Sequence, residues 1–382
     1  MKKILEINDL KVLAKKKLPK MFYDYIDTGS YSGTTYKMNE SDFKKIYLKQ
    51  RVGINIKNRD LTTIILGKKY DIPLGLAPVG MGGMMYPNGE ILVAKAAHKM
   101  NIPYILSTMS ICSLEQVAES TKGAFWFQLY VMKDKEFVLN IISRAKKANC
   151  QALVVTMDLP LLAQRHDDIR NGLSAPPRLG VNQILQLIKK PGWCLRMLFC
   201  KNKTFGNILG HAKGVKDLRS IVSWTNEQFD QELTWEYIRW IQKKWGGPII
   251  LKGILDVEDA KEAVNIGAEG IIVSNHGGRQ LDGASSSILA LNEISKKVGS
   301  KTEVYFDGGV RNGADLIKAK ALGARAVFIG RPYLYGLSAR GYTGVEEVIK
   351  ILKKEIDVTL ALCGETSVDE LGIKNIFNLQ ND

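Results

Sequence analysis

Residues 249–278, IILKGILDVEDAKEAVNIGAEGIIVSNHGG, show most clearly how the chain is organised. Two parts of this stretch, IILK (249–252) and IIVS (271–274), are short β-branched apolar runs typical of buried strands. Between them lies an amphipathic segment that begins at Asp256, a good helix N-cap, and ends at Gly267, a good C-cap. A strand, a helix and a strand in this order predict two parallel strands joined by a helix.

The same alternation of strand and helix runs through most of the chain. Further helical segments are predicted at residues 88–100, 133–148 and 312–323. The other predicted strands are LGLA (74–77), YILS (104–107), FWFQLY (125–130), LVVTMD (153–158), VYFD (304–307) and VFIG (327–330). Eight such units that close on themselves predict an α/β fold of the (β/α)8 type, a TIM barrel, whose chemistry lies on the loops after the C-terminal ends of the strands.

Two regions fall outside this repeat. Residues 1–71 predict an N-terminal prelude that is helical at first, in DLKVLAKKKLPKMFYDYID. Residues 159–248 follow the fourth strand and are far more numerous than an ordinary connection needs. We therefore expect a long functional excursion after the fourth strand.

The composition is that of a globular protein with a sizeable core. The chain has 382 residues, of which 45% are hydrophobic and 24% are charged. Its N-terminal residues show no signal peptide, and no window resembles a membrane-spanning helix, so we expect a cytoplasmic location. The five cysteines are scattered and include no C-x-x-C pair, which favours reduced thiols and predicts no metal site.

The charge balance is strongly basic, with a formal net charge of +15 and a pI near 9.4. This balance favours an anionic partner, such as a substrate or a membrane surface, although a lysine-rich background spread over solvated faces explains it equally well. The lysines and arginines form no stripe interleaved with aromatic residues, so we predict no binding to nucleic acid.

Polar side chains that suit acid–base chemistry stand at the predicted strand ends. His276 and Arg279 follow the sixth strand, and Asp158 ends the fourth. A histidine takes a proton near neutral pH, an aspartate orients its ring, and arginines bind a carboxylate through paired hydrogen bonds. The remaining candidates at this mouth are Gln128, Tyr130, Arg165 and Lys252. The set predicts a site for an anionic substrate that loses a proton.

Glycines and arginines follow the last two predicted strands. Each of DGGVRNG (307–313) and GRP (330–332) contains an arginine beside glycine. Glycines let backbone N–H groups approach a phosphate, and barrels often bind phosphate after strands seven and eight. The earlier cluster GMGGMM (80–85) does not match a dinucleotide fingerprint, because its third glycine position holds Met85.

The motifs of the chain resemble those of the FMN-dependent α-hydroxy-acid dehydrogenase and oxidase family, most of all its bacterial L-lactate dehydrogenases. The resembling runs are SNHGGRQLDGA, FWFQLYV, TMDLP, IILKGILD, DGGVRNG and ALGARAVFIGRP. They occur in the family's order between about Leu18 and Leu362, and the run after the sixth strand is highly specific. The resemblance implies a single FMN-binding domain over residues 1–382, with the barrel at 72–158 and 249–362.

The resemblance also implies a role for each candidate residue. His276 is expected to be the active-site base, oriented by Asp158, while Lys252 stabilises the reduced flavin. Arg165 and Arg279 are expected to bind the substrate carboxylate. The residues expected to line the substrate pocket are Tyr25 and Tyr130. The residues expected to contact FMN are Pro78, Val79, Gly80, Ser107, Gln128, Thr156, Lys252, Ser274, Asp307, Gly309, Arg311, Gly330 and Arg331.

By this resemblance the protein is expected to oxidise an (S)-2-hydroxy acid, in particular L-lactate to pyruvate, and to pass the electrons to a quinone or a cytochrome. Two alternatives stay open: an oxidase that uses O2, and a dehydrogenase that prefers glycolate or mandelate. Met109 stands where plant-type glycolate oxidases have tryptophan, which argues against a glycolate oxidase and leaves the preferred side chain of the substrate open. An FMN-dependent isomerase on the same barrel is disfavoured, because it does not need two arginines beside a histidine base.

A basic, amphipathic segment at residues 183–203 lies within the excursion. It combines Trp193 and several leucines and isoleucines with Lys189, Lys190 and Arg196. Such a segment suits an anionic lipid interface, so we expect peripheral attachment to the inner face of the cell membrane. The alternatives for this segment are a lid and a subunit contact. The family resemblance also implies a homotetramer.

Overall fold

Eight parallel strands form the central sheet of the computed structural model, which describes residues 3–121, 125–173, 180–215, 220, 224 and 227–377. The strands are β1 (Leu74–Leu76), β2 (Ile105–Ser107), β3 (Trp126–Tyr130), β4 (Leu153–Thr156), β5 (Ile249–Ile254), β6 (Gly270–Val273), β7 (Glu303–Asp307) and β8 (Ala326–Ile329). From β2 onward each strand pairs with the next, and β8 pairs with β1. A parallel bridge between Leu76 and Tyr104 closes the circle. The predicted (β/α)8 barrel is confirmed.

Helices connect the strands and surround the barrel. In chain order they are α1 (Ile7–Lys17), α2 (Lys20–Asp27), α3 (Thr34–Ser41), α4 (Gly82–Met85), α5 (Gly89–Lys99), α6 (Leu114–Thr121), α7 (Lys135–Lys147), α8 (His166–Arg170), α9 (Val181–Ile188), α10 (Pro191–Leu198), α11 (Trp235–Trp245), α12 (Val257–Asn265), α13 (Ser287–Val298), α14 (Gly313–Ala321), α15 (Arg331–Arg340) and α16 (Tyr342–Leu362). The side chain of Asp256 caps α12 by accepting from the N–H of Glu258, as the opening stretch predicts.

Large side chains fill the inside of the barrel. Trp126, Tyr305 and Phe328 are almost completely buried there, with ring centroids 5.5 to 5.9 Å apart. A hairpin with strands Thr63–Ile65 and Lys68–Tyr70 packs against this cluster. The N-terminal end of the barrel is therefore closed by packing, and a ligand site belongs at the C-terminal ends of the strands.

Both the first and the later part of the prelude contact the rest of the fold. Its first part forms α1, α2 and α3, so the prediction of a prelude that is helical at first is confirmed. Helix α2 carries Tyr25, which lines the cavity at the C-terminal ends of the strands. Its later part includes a short strand, Tyr47–Leu48, which pairs with Ile376–Phe377 near the far end of the described chain.

The excursion after β4 contains α8, α9 and α10, and α11 leads back to β5. Asn207, which has no exposed side-chain surface, fastens the excursion to the loop after β2. Its Nδ2 donates to the backbone oxygens of Ser107 and Thr108 at 3.2 and 3.3 Å and to Ser110 Oγ at 2.8 Å. Its Oδ1 accepts from the N–H of Leu114 at 2.8 Å. One buried amide thus satisfies four groups of a single loop.

Trp193 does not lie on the exposed face of the 183–203 segment, so its expected place at a lipid interface is wrong. Its ring packs on Phe22 with centroids 5.1 Å apart, and its Nε1 donates to the oxygen of Met84 at 2.9 Å. Packing and a buried partner for its N–H satisfy both parts of the indole inside the protein. The exposed large apolar side chains of the segment are Ile184, Leu185, Ile188, Leu195, Leu198 and Phe199. In the described part of the chain, no helix has the length and apolar character to cross a membrane.

Replacing Asn207 with alanine should lower the free energy of unfolding by about 2–4 kcal/mol, because several buried polar groups lose their partner. Urea unfolding followed by circular dichroism measures this change. The matched control is Asn265→Ala, an exposed residue whose side chain donates to Glu262 alone, which should shift stability by less than about 0.5 kcal/mol. Equal effects of the two substitutions would contradict the anchoring role of Asn207.

Candidate active site

His276 lies in the loop directly after β6, with its ring held on both sides. Its Nδ1 is 2.9 Å from Asp158 Oδ1, and its Nε2 is 3.3 Å from the hydroxyl of Tyr130. The backbone of His276 has a φ of +59°, a left-handed conformation that is uncommon for residues other than glycine. The N–H of His276 donates to Ser274 Oγ at 3.1 Å, which stabilises this turn.

The electrostatic surroundings of His276 and Asp158 favour a neutral ring beside an ionised carboxylate. Burial lowers the pKa of His276, and the charge of Asp158 offsets only part of that effect. Burial alone raises the pKa of Asp158, but the charge and hydrogen bond of His276 outweigh it, so the pKa of Asp158 is lowered. An ionised Asp158 accepts from Nδ1–H, which leaves the lone pair of the neutral ring on Nε2.

Two arginines meet beside His276. Arg279 Nη1 donates to the backbone oxygen of Tyr25 at 2.6 Å, and its guanidinium lies over the Tyr25 ring, 4.7 Å from the centroid. Arg165 Nε donates to the backbone oxygen of Arg279 at 3.2 Å. Burial, and next the charge of Arg279, lower the pKa of Arg165 to about 10, so Arg165 stays positive near neutral pH. Two guanidinium groups that line one cavity favour an anionic ligand.

The ammonium group of Lys252 lies in a buried polar network. Its Nζ donates to Ser274 Oγ at 2.9 Å and lies 3.2 Å from Asp307 Oδ2. Ser274 Oγ in turn donates to Asp307 Oδ1 at 2.5 Å. Because a buried ammonium group is costly unless it is paired, the contact with Asp307 compensates the charge of Lys252 in β5.

The loops after β7 and β8 bring backbone and two further arginines to the cavity. Gly309 has a φ of +81°, and a Cβ there would lie 1.9 Å from the oxygen of Asn39, so only glycine fits. Arg311 Nη2 donates to Glu40 Oε1 at 2.7 Å. Arg331 stacks over an aromatic ring and donates to a backbone oxygen, but its buried Nε has no hydrogen-bond partner among the described residues.

Three of the predicted cofactor contacts are bonded to one another instead of lining the cavity. Gln128 Nε2 donates to Thr156 Oγ1 at 2.9 Å, and Gln128 Oε1 accepts from Ser107 Oγ at 3.1 Å. All three are at most 2% exposed. They lie side by side near the ends of β2, β3 and β4, beneath the cavity wall.

The other predicted residues are gathered around one cavity of about 830 Å³, space open to solvent included. Predicted residues that line it are Tyr25, Pro78, Val79, Gly80, Tyr130, Arg165, Lys252, His276, Arg279, Asp307, Gly309, Arg311, Gly330 and Arg331. Asp158 and Ser274 lie behind the wall, where they bond to His276 and Lys252. The ends of several strands and the prelude helix α2 therefore contribute to one site.

Two residues that hold the charged groups in place were not predicted from the sequence. Asp168 Oδ2 accepts from Arg279 Nη2 at 3.1 Å, and Gln280 Nε2 donates to the backbone oxygen of Asp158 at 2.9 Å. Gln280 directly follows Arg279 in the strand-six motif, which was an available signal. Asp168 gave no such signal, because it lies in the excursion, 111 residues from the arginine that it contacts.

A sequence profile of FMN-dependent dehydrogenases matches residues 14–378. The chain belongs to this family. The L-lactate dehydrogenase of Pseudomonas syringae pv. syringae (strain B728a) is 42% identical over 372 residues, which is 96% of this chain and 97% of that protein. The L-lactate dehydrogenase of Vibrio parahaemolyticus serotype O3:K6 is 40% identical and covers 97% of this chain and 98% of its own.

Solved structures of similar proteins share the whole fold of this family member. The monotopic membrane protein (S)-mandelate dehydrogenase is 35% identical, with a TM-score of 0.94 over 99% of this chain and 100% of that chain. A mandelate oxidase with (S)-4-hydroxymandelic acid is 33% identical, with a TM-score of 0.84 over 98% of both chains. Family membership makes the protein an FMN-dependent oxidoreductase that acts on the CH–OH group of a 2-hydroxy acid, as the sequence motifs predict.

The residues of the cavity fit FMN. Arg331 lines the cavity and forms no ion pair with a carboxylate in the described part of the chain, and its buried, unpartnered Nε suits the phosphate of FMN. Gly330 is the N-cap of α15, and a helix N-terminus favours an anion. Lys252 supplies a fixed positive charge at the base of the same cavity. Both the phosphate and a reduced, anionic flavin ring therefore find complementary charge.

The activity of this dehydrogenase should fall on the acid side with a midpoint below pH 6.5. The reason is that burial lowers the pKa of His276, so the neutral ring that accepts a proton persists to a lower pH. In Asp158→Asn the carboxylate that raises the pKa of His276 is missing. The midpoint should move still lower, and the plateau of kcat/KM should fall by about 10²- to 10⁴-fold.

The measurement is kcat/KM for a 2-hydroxy acid between pH 4.5 and pH 8. His98→Gln is the control, because His98 is exposed on α5, away from the cavity. Its profile should match that of the unaltered protein. A midpoint above pH 6.5 in the unaltered protein, or a higher midpoint in Asp158→Asn, would contradict the role of this pair.

Proposed function

We propose that the protein oxidises L-lactate to pyruvate in the cavity at the C-terminal end of the barrel. The observation that carries this proposal is the position of His276, which lines one cavity together with the arginine pair, Arg165 and Arg279. A proton acceptor next to two guanidinium groups suits a substrate whose reacting group is attached to a carboxylate. The similar proteins named L-lactate dehydrogenase support lactate as the hydroxy acid.

The arginine pair binds and orients the substrate carboxylate. Arg279 uses Nη1 for backbone oxygens and stacks on Tyr25, so its plane is fixed before the substrate arrives. Among the described residues, the hydrogen bonds of Arg165 are long, at 3.2 and 3.4 Å, so its guanidinium can exchange them for shorter bonds to an anion. Holding the carboxylate in this way places the neighbouring hydroxyl-bearing carbon near His276.

His276 moves the proton. Oxidation of a 2-hydroxy acid removes two electrons and two protons, and Nε2 accepts one of these protons. Asp158 accepts the hydrogen bond from Nδ1–H and stabilises the imidazolium that forms. Tyr130, whose hydroxyl contacts Nε2 in the free protein, exchanges that contact for the substrate.

Bound FMN would supply the acceptor for the two electrons and for the other proton of this reaction. Lys252 provides a positive charge that Asp307 holds in place, and such a charge favours negative charge that develops nearby. The closed packing of the barrel beneath the site excludes water from this network.

A mandelate-preferring enzyme is the second candidate, because mandelate dehydrogenase and mandelate oxidase structures match this chain along its whole length. Gly80 and Tyr25 line the cavity, and Met109 packs against Gly80, since a Cβ at Gly80 would lie 3.1 Å from Met109 Cβ and from the Tyr25 hydroxyl. Met109 has a flexible apolar side chain, which suits the methyl group of lactate. Because it is flexible, it does not exclude a larger substrate by steric clash.

Anaerobic bleaching of the flavin with L-lactate, glycolate and (S)-mandelate tests the function. L-lactate should reduce the flavin with the highest ratio of rate to dissociation constant. His276→Gln should keep the flavin bound and yellow yet lose at least about 10²-fold in reduction rate, since the proton acceptor is gone. Fastest bleaching by mandelate would favour the second candidate. No bleaching by any hydroxy acid would refute the proposed function.

We also propose that α9 and α10 attach the protein to an anionic membrane surface. Apolar side chains of this segment are exposed, with Ile188 at 66%, Leu198 at 66% and Phe199 at 78%. Lys189 and Lys201 are exposed beside them. Apolar side chains flanked by lysines suit insertion into the headgroup region of an anionic lipid layer. The similar mandelate dehydrogenase that is a monotopic membrane protein supports this proposal.

Sedimentation with vesicles tests the attachment. The protein should pellet with phosphatidylglycerol vesicles at low salt and less with phosphatidylcholine vesicles. Leu198→Asp with Phe199→Asp should leave it in the supernatant, because charged side chains do not enter the lipid. Leu289→Asp is the control, since Leu289 is 52% exposed on α13 and should not change pelleting. Sedimentation that is the same for all three proteins would contradict membrane contact through this segment.

Three further features belong to the same proposal. We infer that a quinone or a cytochrome reoxidises the flavin, that the chain acts as one FMN-binding domain, and that it assembles as a homotetramer. Anaerobic reoxidation with each acceptor class and light scattering of the purified protein measure the first and the third. Fast reoxidation by O2 would favour the oxidase alternative.

A further inference from the structure

A carboxylate that the proposed reaction does not use lies beneath the arginine pair. Asp168 belongs to α8, near the start of the excursion, and is 8% exposed. Its Oδ2 accepts from Arg279 Nη2 at 3.1 Å. Its other oxygen, Oδ1, is buried without a hydrogen-bond partner among the described residues. A buried carboxylate with one oxygen unsatisfied lowers the stability of the fold, which points to a role for Asp168 in the site.

Asp168 is the charged contact of Arg279. The other partners of the Arg279 guanidinium are uncharged: the backbone oxygens of Tyr25 and Thr28, at 2.6 and 3.1 Å, and the Tyr25 ring. In the described part of the chain, Asp168 alone forms an ion pair with Arg279. The carboxylate therefore both orients the guanidinium and compensates its charge.

The neighbouring charges are already paired elsewhere. Asp158 bonds to His276, and Asp307 bonds to Lys252. Arg165 has no carboxylate contact among the described residues: its bonds go to the backbone oxygen of Arg279 and to a glutamine amide. The charge of Asp168 acts on Arg165 as well, in opposition to the repulsion from Arg279. One carboxylate thus serves two buried guanidinium groups.

The position of Asp168 is itself fixed. Helix α8 packs against α2, the helix that carries Tyr25. Asn171, the C-cap of α8, donates through Nδ2 to Asp24 Oδ2 of α2 at 2.7 Å. The start of the excursion and the prelude are therefore clamped together around the arginine pair, and Asp168 has little freedom to move away from it.

We propose that Asp168 is a positioning residue, the shared counter-ion of Arg165 and Arg279, and that its negative charge sets how tightly the site binds the carboxylate of the substrate. It keeps the two guanidinium groups in place while the site is empty. The substrate carboxylate then binds against the opposing field of Asp168, which weakens binding of both substrate and product. This inference rests on the proposed function of the arginine pair in carboxylate binding.

Oxalate binding to the purified, flavin-containing protein tests the proposal, with flavin absorbance as the readout. Asp168→Asn keeps an oxygen that accepts from Arg279 Nη2 but removes the charge. It should bind oxalate about tenfold more tightly, and KM and kcat should fall together, because the product carboxylate also leaves more slowly. Asp168→Ala removes the charge and the acceptor, so kcat/KM should fall by about 10²-fold through loss of the Arg279 orientation.

The adjacent Asp167 provides a matched control. It forms an exposed pair with Arg170 at 3.1 Å, and Asp167→Asn should leave oxalate binding, KM and kcat unchanged. Asp168→Glu keeps the charge and should restore oxalate binding toward that of the unaltered protein. If Asp168→Asn does not fold, Asp168→Ser carries the same expectation of tighter oxalate binding, since its hydroxyl also accepts a hydrogen bond.

Unchanged or weaker oxalate binding in folded Asp168→Asn or Asp168→Ser would overturn the proposal, because a purely structural role predicts no gain in anion affinity. This outcome is distinct from failure of the proposed function. If no hydroxy acid bleaches the flavin but the uncharged variants bind oxalate more tightly, the reaction is wrong and the role of Asp168 stands.

Discussion

The closure of the parallel sheet is the constraint on which the rest of the structure depends. Because all eight strands run in the same direction around the barrel, their C-terminal ends meet at one mouth. His276 after β6 and Asp158 after β4 come within 2.9 Å of each other across 118 residues of sequence. Trp126 and its aromatic neighbours fill the opposite end. One end of the barrel is therefore closed by packing, and the other carries the cavity and its polar side chains.

Most of the buried charges at this mouth are arranged in pairs. Asp158 pairs with His276, Asp168 with Arg279, and Asp307 with Lys252. A buried charge is costly without a partner, so these pairs let the barrel keep ionised groups in place before a ligand arrives. The excess of positive charge lies at the arginines, and these are the groups that we propose bind the anionic cofactor and the anionic substrate.

The strands, the caps and the polar strand ends were predictable, because each depends on residues close together in sequence. The sequence did not predict whether a given side chain lines the cavity or lies beneath its wall. Gln128 and Tyr130 lie on the same side of β3, two residues apart, yet Tyr130 lines the cavity while Gln128 bonds to neighbouring strands beneath it. Trp193 was misplaced for a similar reason: the pattern of α10 is amphipathic, and only the position of Phe22 shows which side is covered.

By itself, the sequence determined the order of strands and helices, the loops that carry His276 and Arg279, and the family to which the chain belongs. Local periodicity and specific motifs encode these features, and they do not require knowledge of distant contacts. The tertiary structure alone decided that Asp168 lies against Arg279 and that Asn207 fastens the excursion to the β2 loop. Such contacts join segments about a hundred residues apart, and they form only when barrel closure and the path of the excursion bring those segments together.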